Sequence, residues 1–169
     1  MQAIAVTPVR TTNPVSHHAL RRTHASAAHA GFSLIELMVV IAIVALLAAV
    51  GVPAYTSQIN KAYRADAQSA LMQLASAMER YRTINNTYNG TADGSGVPVS
   101  TFFPDQAPLD SSQKYYTLRI TITNSGNGYT VTAAPISGTR MDGDWSFTLA
   151  STGLKQRVSG GSTVTGWDI

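Results

Sequence analysis

The sequence predicts an α+β fold in which the second half of a long N-terminal helix lies across an antiparallel sheet of three or four strands. Three observations carry this. The stretch Gly31 to Pro53, reading GFSLIELMVVIAIVALLAAVGVP, is apolar except for Ser33 and the carboxylate Glu36. A period of three and four residues continues beyond it to about Arg82, and from Tyr115 the period changes to two. The first signal is a helix too apolar to be solvated. The second makes that helix amphipathic, and the third supplies strands with one apolar face needing a cover.

Length and composition narrow the function classes. With 169 residues the chain has room for one domain and an anchor. The formal charge of +3 comes from Arg10, Arg21 and Arg22, which precede Gly31 with no acid among them; from Phe32 onward nine Lys/Arg face nine Asp/Glu. The folded part is thus neutral by side-chain count, and a nucleic-acid partner is not expected from charge. All four histidines (His17, His18, His24, His29) lie before Gly31 and cysteine is absent. The folding part therefore lacks the commonest neutral-pH base, a thiolate nucleophile and the usual zinc ligands, so neither an enzyme nor a cofactor is expected.

In chain order, residues 1–31 read as a leader: rich in Ala, Thr, Ser and His, basic, and without either apolar period. Positive charge before the apolar run keeps that end cytoplasmic and places the remainder outside. Residues 32–59 form the apolar half of the helix, long enough to cross a bilayer at roughly 20 residues per span. A carboxylate entering hydrocarbon costs about 2.5 to 3.5 kcal/mol, which makes Glu36 a functional candidate whose partner must be found. The bland alternative leaves its head among lipid headgroups. A secretory signal cut near Ala48, Gly51 or Ala54 is a further alternative, disfavoured by Glu36 and by the helical period that runs on. Pro53 lacks a donor for the Ala49 carbonyl, so Gly51 and Pro53 mark an expected kink or local unwinding.

Residues 60–169 read as a globular head. Ile59, Tyr63, Ala67, Leu71, Leu74, Met78 and Tyr81 recur on one helix face, with Lys61, Arg64, Asp66, Gln68, Gln73, Glu79 and Arg80 on the other. From Phe32 to about Arg82 the helix would measure about 75 Å at 1.5 Å per residue, more than such a head can cover, so its first half must be buried in lipid or against copies of itself. The helix ends between Ile84 and Gly90, where Asn85, Asn86, Asn89 and Gly90 favour a C-cap. Residues 91–113 form an irregular connection with Phe102 and Phe103 as packing anchors. Tyr116, Leu118, Ile120 and Ile122 alternate with polar residues, Asn124 to Gly128 make a turn, and Tyr129, Val131 and Ala133 alternate again, giving a hairpin ended by Pro135. Trp145, Phe147 and Leu149 mark a third strand and Leu154 to Val158 a short fourth, with Trp167 expected to pack back on the head.

These residues resemble the type IV pilin family. Gly31, Phe32, Ser33, Leu34, Ile35 and Glu36 match its prepilin cleavage motif, Glu36 and Pro53 fall where the family's characteristic glutamate and proline fall, and YRADAQSALMQLASAMERYRTINNTY is similar to minor pilins of the PilE type. The resemblance implies a pilin fold and a prepilin leader cut between Gly31 and Phe32 by a prepilin peptidase. It further implies methylation of the Phe32 amine and extraction from the inner membrane, with the head periplasmic, into a surface filament. In that filament Glu36 would neutralise the amino terminus of an adjacent subunit. The partners implied are other pilin subunits, the peptidase, the pilus assembly machinery and the inner membrane. The sequence departs from the family in having His29 and Ala30 where a basic residue usually precedes the glycine, and in lacking cysteines for a C-terminal disulfide. A pseudopilin of a type II secretion system, and a pilus-tip adhesin or DNA-uptake pilin, are the alternatives. Asp142 and Asp144 are weak calcium candidates without EF-hand spacing. Arg80, Tyr81, Arg82 and Tyr88 are weak DNA-contact candidates.

Overall fold

The computed structural model describes residues 31–168; the leader residues before Gly31, with the arginines and histidines noted above, and Ile169 lie outside the described residues. Helix α1 (Leu34–Asn85) is followed by strands β1 (Gln106–Ala107), β2 (Tyr116–Thr123), β3 (Gly128–Pro135), β4 (Ser146–Ala150), β5 (Lys155–Ser159) and β6 (Ser162–Thr165). The chain divides into two units, one ending at Ile41 and one beginning at Ala42.

In the first unit Gly31, Phe32 and Ser33 precede the helix, and the Leu37 N–H donates to the Ser33 carbonyl at 3.1 Å. Ser33 therefore occupies the N-cap position. Glu36 falls in the first turn, where a negative charge meets the positive end of the helix dipole.

In the second unit, α1 buries Ala67, Ala70, Leu71, Leu74, Ala77 and Met78, the face on which steps of three and four coincide. These residues cluster with Tyr116, Leu118 and Ile120 of β2, Tyr129, Val131 and Ala133 of β3, Phe147 and Leu149 of β4, and Trp167. Each large apolar side chain removed from water contributes about 1.5 to 3 kcal/mol before entropy is charged against it. Asn86 ends the helix in the left-handed region at φ 57°, donating back to the Arg82 carbonyl at 2.8 Å. The connection then buries Tyr88 and Thr91 and half-buries Phe102 and Phe103 against the core, as expected of packing anchors.

The sheet is an antiparallel meander in the order β1-β2-β3-β4-β5-β6. Its central hairpin pairs Ile120 with Val131 and Leu118 with Ala133, joined through Asn124 and Ser125 at φ 53° and 54°. Six strands replace the three or four expected. β1 is two residues long and shows no period. β6 is exposed along all four residues, so no apolar alternation announces it; its hairpin with β5 turns through Gly160 and Gly161, both at positive φ. The fourth strand also begins one residue later than the sequence suggests, at Lys155.

Candidate functional site

The assembly candidates of the first unit are all exposed. Phe32 is 79% exposed and Ile35 65%, and a Cβ added at Gly31 would meet nothing within 4 Å. Among the described residues, packing demands neither the glycine nor the apolar side chains at this point. The spacing Ser33-x-x-Glu36 is that of a capping box, in which the carboxylate serves the helix start.

In the second unit the apolar residues from Ala42 to Tyr55 are likewise exposed, with Leu46 at 72% and Val50 at 74%. The helix is long and apolar enough to cross a membrane. α1 continues through Gly51 and Pro53 as helix, and the Thr56 hydroxyl donates to the Pro53 carbonyl at 2.9 Å. Gly51, too, has open space where a side chain would stand.

The head's polar face is less solvated than its sequence suggests. Arg64 reaches Asp144 with Nε donating to Oδ2 at 2.8 Å and Nη2 to Oδ1 at 2.9 Å, joining α1 to the segment entering β4. Gln68 donates to the Trp167 carbonyl at 3.2 Å, while the Trp167 indole donates to Thr148 and Gln156, both at 3.1 Å. Glu79 accepts the Tyr129 hydroxyl at 2.9 Å and the Tyr88 hydroxyl at 3.1 Å. Three residues assigned to the solvated face thus fasten the helix to the head.

Burial raises the Tyr88 and Tyr129 phenols above their ordinary range, and hydrogen bonding to the Glu79 carboxylate raises them further. Burial, with Asp144 nearby, raises Tyr116 likewise, although its hydroxyl has no hydrogen-bond partner among the described residues. No group of three His, Cys, Asp or Glu residues among the described residues is placed to hold a metal ion. The calcium candidates have other partners: Asp144 takes Arg64 and the Trp145 N–H, and Asp142 accepts the Gly138 N–H at 2.9 Å. Of the DNA-contact candidates, Arg80 is exposed, Arg82 stacks on Tyr88 at 4.8 Å from the ring centroid, and Tyr88 is itself buried.

An exposed apolar helix start carrying one carboxylate, followed by an amphipathic half on an antiparallel meander, defines a type IV pilin-like protein, either a minor pilin or a pseudopilin. The family model described as "Type IV minor pilin ComP, DNA uptake sequence receptor" matches residues 53–144, more than half of the chain, and the chain belongs to that family. The prokaryotic N-terminal methylation motif matches residues 26–52. Type II secretion system core protein G of Pectobacterium carotovorum is 42% identical over 64 residues, covering 38% of this chain and 41% of that protein. Its counterpart in Pseudomonas aeruginosa is 28% identical over 138 residues, covering 82% of this chain and 94% of that protein. A solved type IV pilin from Shewanella oneidensis is 24% identical with a TM-score of 0.35, covering 54% of this chain and 84% of that one, a likeness too distant to weigh. Pilins and pseudopilins are structural proteins.

Proposed function

We propose that the chain is a minor pilin, made as an inner-membrane precursor with its head in the periplasm. It is cut between Gly31 and Phe32 by prepilin peptidase, methylated at the new Phe32 amine, and delivered by the pilus assembly machinery into a type IV pilus at the cell surface. The observation that carries this reading is the exposed run of apolar side chains between Phe32 and Tyr55, interrupted by one ionisable residue, Glu36. Lipid covers that run in the precursor and neighbouring helices cover it in the filament. Glu36 then pairs with the Phe32 ammonium of an adjacent subunit. Each charge is costly alone in a low-dielectric core and tolerable when paired, which favours one axial register. Gly51 and Pro53 weaken α1 where it leaves the lipid, because Pro53 has no N–H to donate to the Ala49 carbonyl. Residues 60–169 serve as the exposed head, without catalytic activity.

The test is incorporation. Filaments sheared from cells should contain this chain in shortened form, and its confinement to the membrane fraction in a pilus-forming cell would contradict the proposal. A pseudopilin role is supported by the likeness to type II secretion core protein G. Loss of secretion rather than of piliation on deletion would favour it.

DNA binding by the head is a second reading, against the expectation from balanced charge. The family's description supports it, as do the exposed side chains of Arg80 and Arg119. Anisotropy of labelled duplex DNA titrated with the protein at low and moderate salt checks it, since phosphate contacts weaken steeply with salt.

A further inference from the structure

No disulfide is available to tie α1 to the sheet, because the chain contains no cysteine. Tyr63 of α1 and Tyr115, the residue before β2, stack with ring centroids 4.0 Å apart and planes inclined at 34°, and the Tyr115 hydroxyl donates to the Tyr63 hydroxyl at 3.2 Å. Both rings are half-buried, and so remain within reach of solvent. Neither is free to drift. The Tyr115 backbone is pinned by its N–H to the Ala107 carbonyl at 2.9 Å and by its carbonyl from the Ile136 N–H at 2.8 Å, while Tyr63 precedes the buried Ala67 by one helical turn.

We propose that Tyr63 and Tyr115 form an oxidative cross-linking site, at which a one-electron oxidant such as a peroxidase with hydrogen peroxide joins the rings as dityrosine and ties α1 to β2. Each phenol loses one electron and its hydroxyl proton, giving two phenoxyl radicals that combine through a carbon ortho to oxygen on each ring. The hydrogen on each joined carbon then moves to its own oxygen, restoring both aromatic rings. The chain loses two electrons and two protons, which reduce one hydrogen peroxide to two waters. Holding the partners in contact supplies the proximity that two free phenols lack. The hydrogen bond between the hydroxyls offers a departing proton a path as the electron is taken. Selectivity follows from the other tyrosine pair: Tyr88 and Tyr129 meet edge to face at 78°, both buried and with both hydroxyls held by Glu79. That arrangement turns one ring's edge to the other's face and shields both from a bulky oxidant.

The experiment treats the full chain, dilute in detergent micelles, with peroxidase and hydrogen peroxide, and reads dityrosine fluorescence together with a tryptic mass map. The expected product is a monomer lighter by two hydrogens, in which peptide 62–64 is joined to peptide 115–119. Tyr63→Phe and Tyr115→Phe should each reduce that product to background, while Tyr81→Phe leaves it unchanged. Unfolding in urea before oxidation should abolish the intramolecular product in the unaltered chain, a control independent of the variants. Absence of coupling, coupling mapped to another tyrosine pair, or coupling only between chains would overturn the proposal.

Discussion

Arg64 and Asp144 stand 80 positions apart and meet through two parallel hydrogen bonds of 2.8 and 2.9 Å, with side chains 21% and 12% exposed. Asp144 also accepts the Trp145 N–H, so one carboxylate holds both α1 and the entry to β4. Removing one partner strands the other in a half-buried site. Arg64→Met should therefore lower unfolding stability by about 1 to 3 kcal/mol, and Asp144→Ala by more because the Trp145 N–H is orphaned as well. A double-mutant cycle from chemical denaturation in detergent checks this; a coupling energy near zero would show the pair to be incidental.

Tyr116 is buried with a hydroxyl that has no partner among the described residues, so the oxygen is a cost. Tyr116→Phe should leave the melting temperature unchanged or raise it, since the substitution removes an unsatisfied group and leaves no cavity.

The tyrosines also set a pH dependence. Tyr88, Tyr116 and Tyr129 have phenols raised in the folded state above the ordinary value of 10.0. A raised acid favours the fold while it stays protonated, so this contribution is complete below about pH 10 and declines as pH climbs beyond it. Thermal unfolding should show a midpoint insensitive to these groups between neutrality and about pH 10, then a fall. Tyr116→Phe should make that fall shallower.

Leu74 is wholly buried where α1 crosses the sheet. Leu74→Ala should cost about 2 to 5 kcal/mol through lost burial and the cavity left behind. Leu46→Ala, on the exposed apolar half, should barely alter the unfolding of the head. Comparing the two by circular dichroism separates the residues that hold the head from those reserved for an external cover.

Glu36→Val should leave cleavage intact while reducing incorporation into sheared filaments, measured as the ratio of filament-bound to total processed chain. Normal incorporation would reduce Glu36 to its place in the first turn of α1.

Much of the fold was legible because burial writes a period into sequence. Leu71, Leu74 and Met78 announced the helix face, and Leu118, Ile120, Val131 and Phe147 announced the strands they occupy. β6 carried no such mark, since a strand exposed on both faces has no reason to alternate. The fastening roles of Arg64, Gln68 and Glu79 were hidden for a different reason. Their partners Asp144, Trp167 and Tyr129 lie 80, 99 and 50 positions away, and only the meander brings them together. Gly31, Phe32 and Glu36 were readable as candidates because an apolar helix start with a single charge stands out in sequence, and among the described residues that start is exposed.

The mature chain should begin at Phe32 with its apolar half retained. Mass spectrometry of the amino terminus of the chain recovered from sheared surface filaments tests it most directly. The expected result is an N-terminal peptide starting at Phe32 and carrying one methyl group. A mature start near Tyr55, or a chain still bearing residues before Gly31, would contradict it.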